Sequence, residues 1–284
     1  MIAHAVAAVP PPSDVGSWPR ALVACLAVGV FSPMIGTFLV QRRLSLVGDG
    51  IGHVAFAGVG AGLLLNVWPV WTALAFAVAG AVGVEVLRSR RKASGDLALA
   101  LFFYSGIALG VVFASRGGLP DFETLPYLFG DPLRVSGVGI VWIVVMGAGI
   151  AMTLWSLRRV FFAIVTDEDW ARVAGLPVDL LNGALAAVTA GAIVAAMKII
   201  GILLVAALMA LPVATAQLLA SSFRSTMLLA VAIGVGSAAV GLGLARALTL
   251  SPGGMIVLVA SALFAVVAIA RRQVPRSLPR EAHP

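Results

Sequence analysis

Hydrophobic residues in this chain do not alternate with polar ones. They run in blocks of about twenty, the length an α-helix needs to cross a bilayer, separated by short stretches where arginine, glycine and proline collect. Nine such blocks are read at 21–40, 50–66, 68–87, 97–115, 135–157, 180–197, 199–221, 226–248 and 253–270. Val67-Trp68-Pro69 makes a tight break between the second and third, and Lys198 alone divides the sixth from the seventh. The pattern predicts an all-α, polytopic membrane helix bundle of about nine transmembrane helices. The number falls to eight if the run around Lys198 is one span plus a re-entrant piece. Residues 1–20 form an N-terminal tail, 21–271 the membrane domain and 272–284 a C-terminal tail.

Composition agrees. Of 284 residues, 61% are hydrophobic and 11% charged, with a mean hydropathy of +1.08, whereas soluble domains carry about 25% charged residues. A net charge of +7 would ordinarily raise nucleic acid as a partner. That reading fails because the basic residues lie between apolar runs, where loop charge sets topology. With the N-terminus outside and nine spans, 14 of the 19 Lys and Arg fall inside and 5 outside, so the positive-inside rule places the C-terminus in the cytoplasm. Trp18, Trp68 and Trp71 then sit at the outer interface. The Pro-rich start lacks the basic residues of a signal peptide. The single Cys25 permits neither an intrachain disulfide nor a cysteine metal cage. Thirty-one glycines suit close helix packing, and Pro33, Pro212 and Pro252 are expected to kink or start spans.

One pair of side chains stands out within the apolar runs. Asp49 and His53 are four residues apart and share a helix face, just after the basic Arg42-Arg43 turn. His53 is the only histidine outside the two tails. Charge at membrane depth is costly and marks function, and a carboxylate with an imidazole is a partial ligand set for a divalent transition metal. The competing reading is an aspartate that satisfies helix-start N–H groups beside a histidine packed in a polar interface. No Gly-x-x-x-x-Gly-Lys-Ser/Thr loop occurs, so the chain is not itself an ATPase. An integral-membrane enzyme would require a His-Glu-x-x-His motif or clustered aspartates, and neither is present.

A second motif lies between the fifth and sixth blocks. Thr166 is read as an N-cap, followed by Asp167, Glu168 and Asp169 in a first turn that suits the helix dipole. Gly175-Leu176-Pro177 is a stop. This predicts a helix of two or three turns lying across the inner membrane face. Ala171 and Gly175, four apart, are expected to give it a flat face. It is either a bare interfacial helix or one that docks into a groove on a partner.

The Glu168, Ala171, Gly175, Leu176, Pro177 pattern resembles the coupling helix of ABC-importer permeases. The stretch from Gly36 to His53 resembles the permeases of the zinc/manganese/iron ABC importers, the ABC-3 family. Tyr127-Leu128-Phe129-Gly130-Asp131, Ala196 to Gly201, Leu211 to Ala216 and Ser251 to Gly254 match the same family in order. The resemblance implies a type II ABC importer-like fold in a bacterial plasma membrane. It implies two identical copies, a cytoplasmic ATPase dimer docked through that helix, and an extracytoplasmic metal-binding protein on the outer face. ATP would bind only to the ATPase partner. Asp49 and His53 fall on the family's Asp-x-x-x-His motif as transient ligands of the transported ion or as part of the inner gate. Zinc is the expected cargo, with manganese or iron as alternatives. Related permeases carry cobalamin or iron chelates, which have no evident need for that pair. A secondary transporter would need no coupling helix. Zinc permeases of the family can carry a second histidine in the fourth span; here that stretch holds Tyr104 and Ser105. Tyr104, Lys198 and Pro212 are gate or path candidates. Lys198 is read first as snorkelling to the outer interface, and otherwise as repelling cations at the outer gate or pairing with a buried carboxylate. Asp121, Glu123 and Asp131 are outer-loop candidates to attract cations or meet the binding protein, or simply a solvated acidic loop. Glu85 and Asp96 are expected to pair with the basic residues 88–92, and Asp96 also matches a family acidic position.

Overall fold

The computed structural model of the chain describes residues 17–42, 44–89, 95–116, 128, 130 and 132–273. Among the described residues ten α-helices follow in order: α1 (Ser17–Gln41), α2 (Val47–Leu64), α3 (Pro69–Ser89), α4 (Gly95–Arg116), α5 (Gly137–Thr166), α6 (Glu168–Val173), α7 (Val178–Ile200), α8 (Ile202–Leu219), α9 (Phe223–Leu248) and α10 (Pro252–Gln273). A 3-10 turn, Pro132–Arg134, precedes α5. No strand occurs among the described residues. Each of the nine apolar blocks becomes a helix. Among the described residues eight are long and apolar enough to cross a membrane, and α4 contributes the apolar stretch Leu97–Phe113.

Local signals start the helices. Pro69 and Pro252 open α3 and α10, where a missing N–H costs nothing. Ser136 caps α5 by accepting from Gly139 N at 3.1 Å. Ser222 and Ser225 form a reciprocal capping box at α9. Two expectations are corrected. The break between α7 and α8 falls at Gly201, with φ +85 and ψ 151. Lys198 lies inside α7, three residues earlier, because a backbone reversal needs glycine's dihedral freedom and not a charge. The fifth block does not stop at 157. The apolar Val160–Val165 carries α5 past Arg158 and Arg159 to Thr166, and Arg158 folds back over the Trp155 ring at 4.3 Å.

Helix α2 lies at the centre. From Val47 to Gly62 nearly every residue is buried. Without a hydrophobic drive between helices in lipid, close approach at small residues is what holds such a bundle. Gly58 and Gly62 face Thr72, Ala73 and Pro69 of α3, and Gly106 of α4 lies against the His53–Val54 backbone, with about 2.7 Å to where its Cβ would be. Gly52 meets Ile202 of α8. On the other side α1 crosses α9 at Gly29 and Gly234, with Pro33 in the same contact, and Gly36 packs on the Met209 carbonyl of α8. Pro212 is buried within α8. The outer surface is apolar: Val138, Val141, Trp142, Val145 and Met152 of α5 and Leu258, Val266 and Ile269 of α10 are exposed, as lipid-facing residues are.

Contacts at the helix ends fix which ends lie together. Arg246, late in α9, stands 5.5 Å over the ring of Trp18 at the start of α1. At the opposite end, charged groups following α1, ending α3, on α6 and opening α7 meet in one cluster. This is the arrangement alternating spans produce.

Candidate functional site

The turn into α2 is tied by Leu44 N to Leu39 O at 2.9 Å and Val47 N to Leu44 O at 3.1 Å. It sets Asp49 in the first turn of a helix whose N-cap, Leu46, supplies no side-chain bond. No described group donates to the Asp49 carboxylate either, so it is not satisfied by its own helix start. One turn on, His53 is 8% exposed and its Nδ1 is buried without a partner. Its ring packs edge-on against Phe103 of α4, with centroids 4.7 Å apart. Asp49 and His53 line a cavity of about 420 Å³ together with Leu46, Leu99, Phe103, Tyr104 and Leu203. An unpaired carboxylate and an unpaired imidazole thus converge on a space walled mainly by apolar groups, which is the layout of a site that takes a polar guest.

Tyr104 lies on the cavity wall, 70% exposed and stacked edge-on to Phe103. Ser105 does not line the cavity, and its hydroxyl donates to the Leu101 carbonyl at 2.6 Å. Among the described residues no cluster of three or more His, Cys, Asp or Glu that could hold a metal ion forms. Phe103 and Leu203 were not legible as site residues; their only signal is apolar, and it reaches the site from separate helices. Pro212 does not line this cavity. Asp121, Glu123 and Asp131 lie outside the described residues, as do the side chains of Asp96 and Lys198.

The short helix α6 forms where expected, with its cap moved by one residue. Asp167 accepts from Trp170 N at 2.9 Å, whereas the Thr166 hydroxyl donates back to Phe162 O; the carboxylate outcompetes the hydroxyl for the cap. Eight residues after the cap the helix closes on Gly175, at φ +83, with Gly175 N to Arg172 O at 3.0 Å and Leu176 N to Ala171 O at 3.1 Å. That is the paired bond pattern of a glycine-terminated helix. Ala171 and Gly175 therefore do not share a face. Ala171 is fully buried against Ile164 and Val178, with Leu176 beside them. The free face carries Trp170 and Val173, the latter 88% exposed, and runs on to Gly175 and Pro177.

Glu168 turns inward. Its carboxylate lies 3.2 Å from Arg88, 3.2 Å from Arg172 and 3.5 Å from Arg42. Arg88 holds Glu85 bidentately at 2.7 and 3.1 Å, and Arg172 holds Asp179 at 2.6 and 3.1 Å. Burial would raise the Glu168 carboxyl, but the Arg88 charge and the hydrogen bonds from Arg172 and Arg88 prevail and hold it below its ordinary value. Arg42 is shifted down, by burial first and then by Arg88. It stays charged, as arginine does in proteins.

Comparison with known proteins bears on the family and the fold. Residues 17–271 match the model of the ABC 3 transport family. The chain is 32% identical over 259 residues to a probable metal transport system membrane protein of Treponema pallidum, covering 91% of this chain and 96% of that one. It is 30% identical over 246 residues to the manganese transport system membrane protein MntC of Listeria monocytogenes, covering 86% and 87%. Among solved structures it is similar to PsaBC from Streptococcus pneumoniae in complex with Fab, at 26% identity and a TM-score of 0.79, over 90% of this chain and 92% of that one.

Proposed function

The chain belongs to the ABC 3 transport family, and from that premise we propose that it is the membrane permease subunit of an ATP-driven importer of divalent transition metal ions. It is a transport subunit and not an enzyme. The reading is carried by one observation: Asp49 and His53 line one cavity, and neither the Asp49 carboxylate nor the buried His53 Nδ1 has a partner among the described residues. Oxygen and imidazole nitrogen suit manganese and zinc alike. Zinc is expected from the motif set, but MntC, a relative named for its ion, is named for manganese. The first cargo we assign is therefore manganese, with zinc as its competitor.

Two ligands leave an ion mostly hydrated. A second copy of the chain, with its own Asp49 and His53 facing the first across a two-fold axis, would supply the rest. Such a site strips part of the hydration shell without trapping the ion. The exposed face of α6, led by Trp170 and Val173, is the docking surface for a cytoplasmic ATPase, with Gly175, Leu176 and Pro177 shaping its end. An extracytoplasmic metal-binding protein delivers the ion from the opposite face. Loop charge orients the chain with α6 and the C-terminus in the cytoplasm of a bacterial cell.

The test is uptake of manganese against competing zinc in vesicles containing the chain with its ATPase and binding protein. Asp49→Asn and His53→Ala should each lower uptake at least tenfold, with the complex still assembled. Wild-type uptake in both would remove the ligand assignment.

A further inference from the structure

The six charged residues of the cluster, Arg42, Glu85, Arg88, Glu168, Arg172 and Asp179, do not hold one another equally. Arg88–Glu85 is a tight pair inside α3, and Arg172–Asp179 a tight pair joining α6 to the start of α7. Glu168 bridges the two pairs by longer contacts of 3.2 to 3.5 Å. Arg42 has the loosest hold. Its side chain is only 7% exposed, yet Nη2 stands 3.5 Å from Glu168 and 3.7 Å from Glu85, and forms no close hydrogen bond.

The charges of these six balance, three positive against three negative. Drawing α6 and the first turn of α7 away would split them unevenly. Arg172, Asp179 and Glu168 would leave with one net negative charge. Arg42, Arg88 and Glu85 would keep one net positive charge in a largely buried position, which is unfavourable. Arg42 follows the last turn of α1 and leads through a short hydrogen-bonded turn into α2, seven positions before Asp49. Arg42 is therefore anchored to the helix that carries the candidate ligands, while Glu85 and Arg88 stand on α3.

We propose that Glu168 is a removable counter-ion and Arg42 a positioning residue: the pair ties the docking helix α6 to the α1–α2 turn, so that displacement of α6 draws on the start of α2. This rests on the permease reading above for its role in transport, though not for the existence of the tie. Because Arg42 is held by charge at a distance and not by a bidentate fork, a lysine point charge should serve in its place.

Two measurements test it. In the detergent-solubilised full chain, Arg42→Gln, Glu168→Gln and the double variant are compared for unfolding temperature. The double variant should lose clearly less than the sum of the singles, and additive losses would overturn the tie. In the reconstituted complex, manganese transported per ATP hydrolysed is measured. Arg42→Gln should lower this ratio about fivefold or more, while Arg42→Lys restores it to within about twofold, a split that mere loss of folded protein would not produce. An unchanged ratio in Arg42→Gln, or equal damage in Arg42→Lys, would overturn the positioning role. If the wild-type complex moves no metal, the permease reading falls, and the unfolding measurement still decides whether the tie exists.

Discussion

His53 owes its orientation to a neighbour that sequence spacing does not reveal. The Asp49–His53 pair is legible because four residues on a helix share a face. Phe103 is not, because it arrives from α4, fifty positions along the chain, and carries no chemistry of its own. Its edge-on contact at 4.7 Å restricts the imidazole ring. Phe103→Leu should keep the fold and the apolar wall while freeing that ring. The concentration of manganese for half-maximal uptake is then expected to rise about tenfold, the usual scale for losing a group that orients a ligand. Equal half-saturation in the variant would show that Phe103 merely packs. The same distance along the chain hides the charge cluster. Glu85 with Arg88 is readable as a local pair, but its meeting with Arg42 and Glu168 exists only once three helices have come together.

At the scale of the element, hydropathy locates helices well and their breaks poorly. A window of apolar residues records the cost of exposing them to water. It is blind to a single backbone dihedral, so the division at Gly201 was attributed to the nearest charge. With φ +85 and ψ 151, Gly201 occupies a region nearly closed to residues with a Cβ. Gly201→Val should cost about 1–3 kcal/mol and lower the unfolding temperature by several degrees, whereas no loss would mean that the turn can relax elsewhere. Helix α6 teaches the converse. Its existence and end were legible from Gly175-Leu176-Pro177, but its faces were not, because six residues carry too little periodicity to say which side is covered. Burial of Ala171 leaves Trp170 and Val173 outward. Val173 is 88% exposed, so Val173→Glu should leave the unfolding temperature unchanged, while abolishing co-purification of the ATPase. Intact co-purification would move the docking surface elsewhere.

For the whole molecule, parity and charge make a joint prediction. The Trp18–Arg246 contact and the charge cluster put alternate helix ends at opposite faces, and loop arginines say which face is inside. The lone thiol, Cys25, is fully buried, so an introduced cysteine would report alone. Leu65→Cys, in the exposed α2–α3 turn, should react with an impermeant maleimide on intact cells, and Val173→Cys only after lysis. The reverse labelling would invert the chain. The central place of α2 has one more consequence. Asp49 and His53 stand on a single rigid turn, walled in by α3, α4 and α8 through glycine contacts that leave no slack. If they hold the ion, neither can step away from the other. Departure of the cargo then depends on what faces them: if that is a second copy, the two must part like hands opening around an object that each has only half grasped.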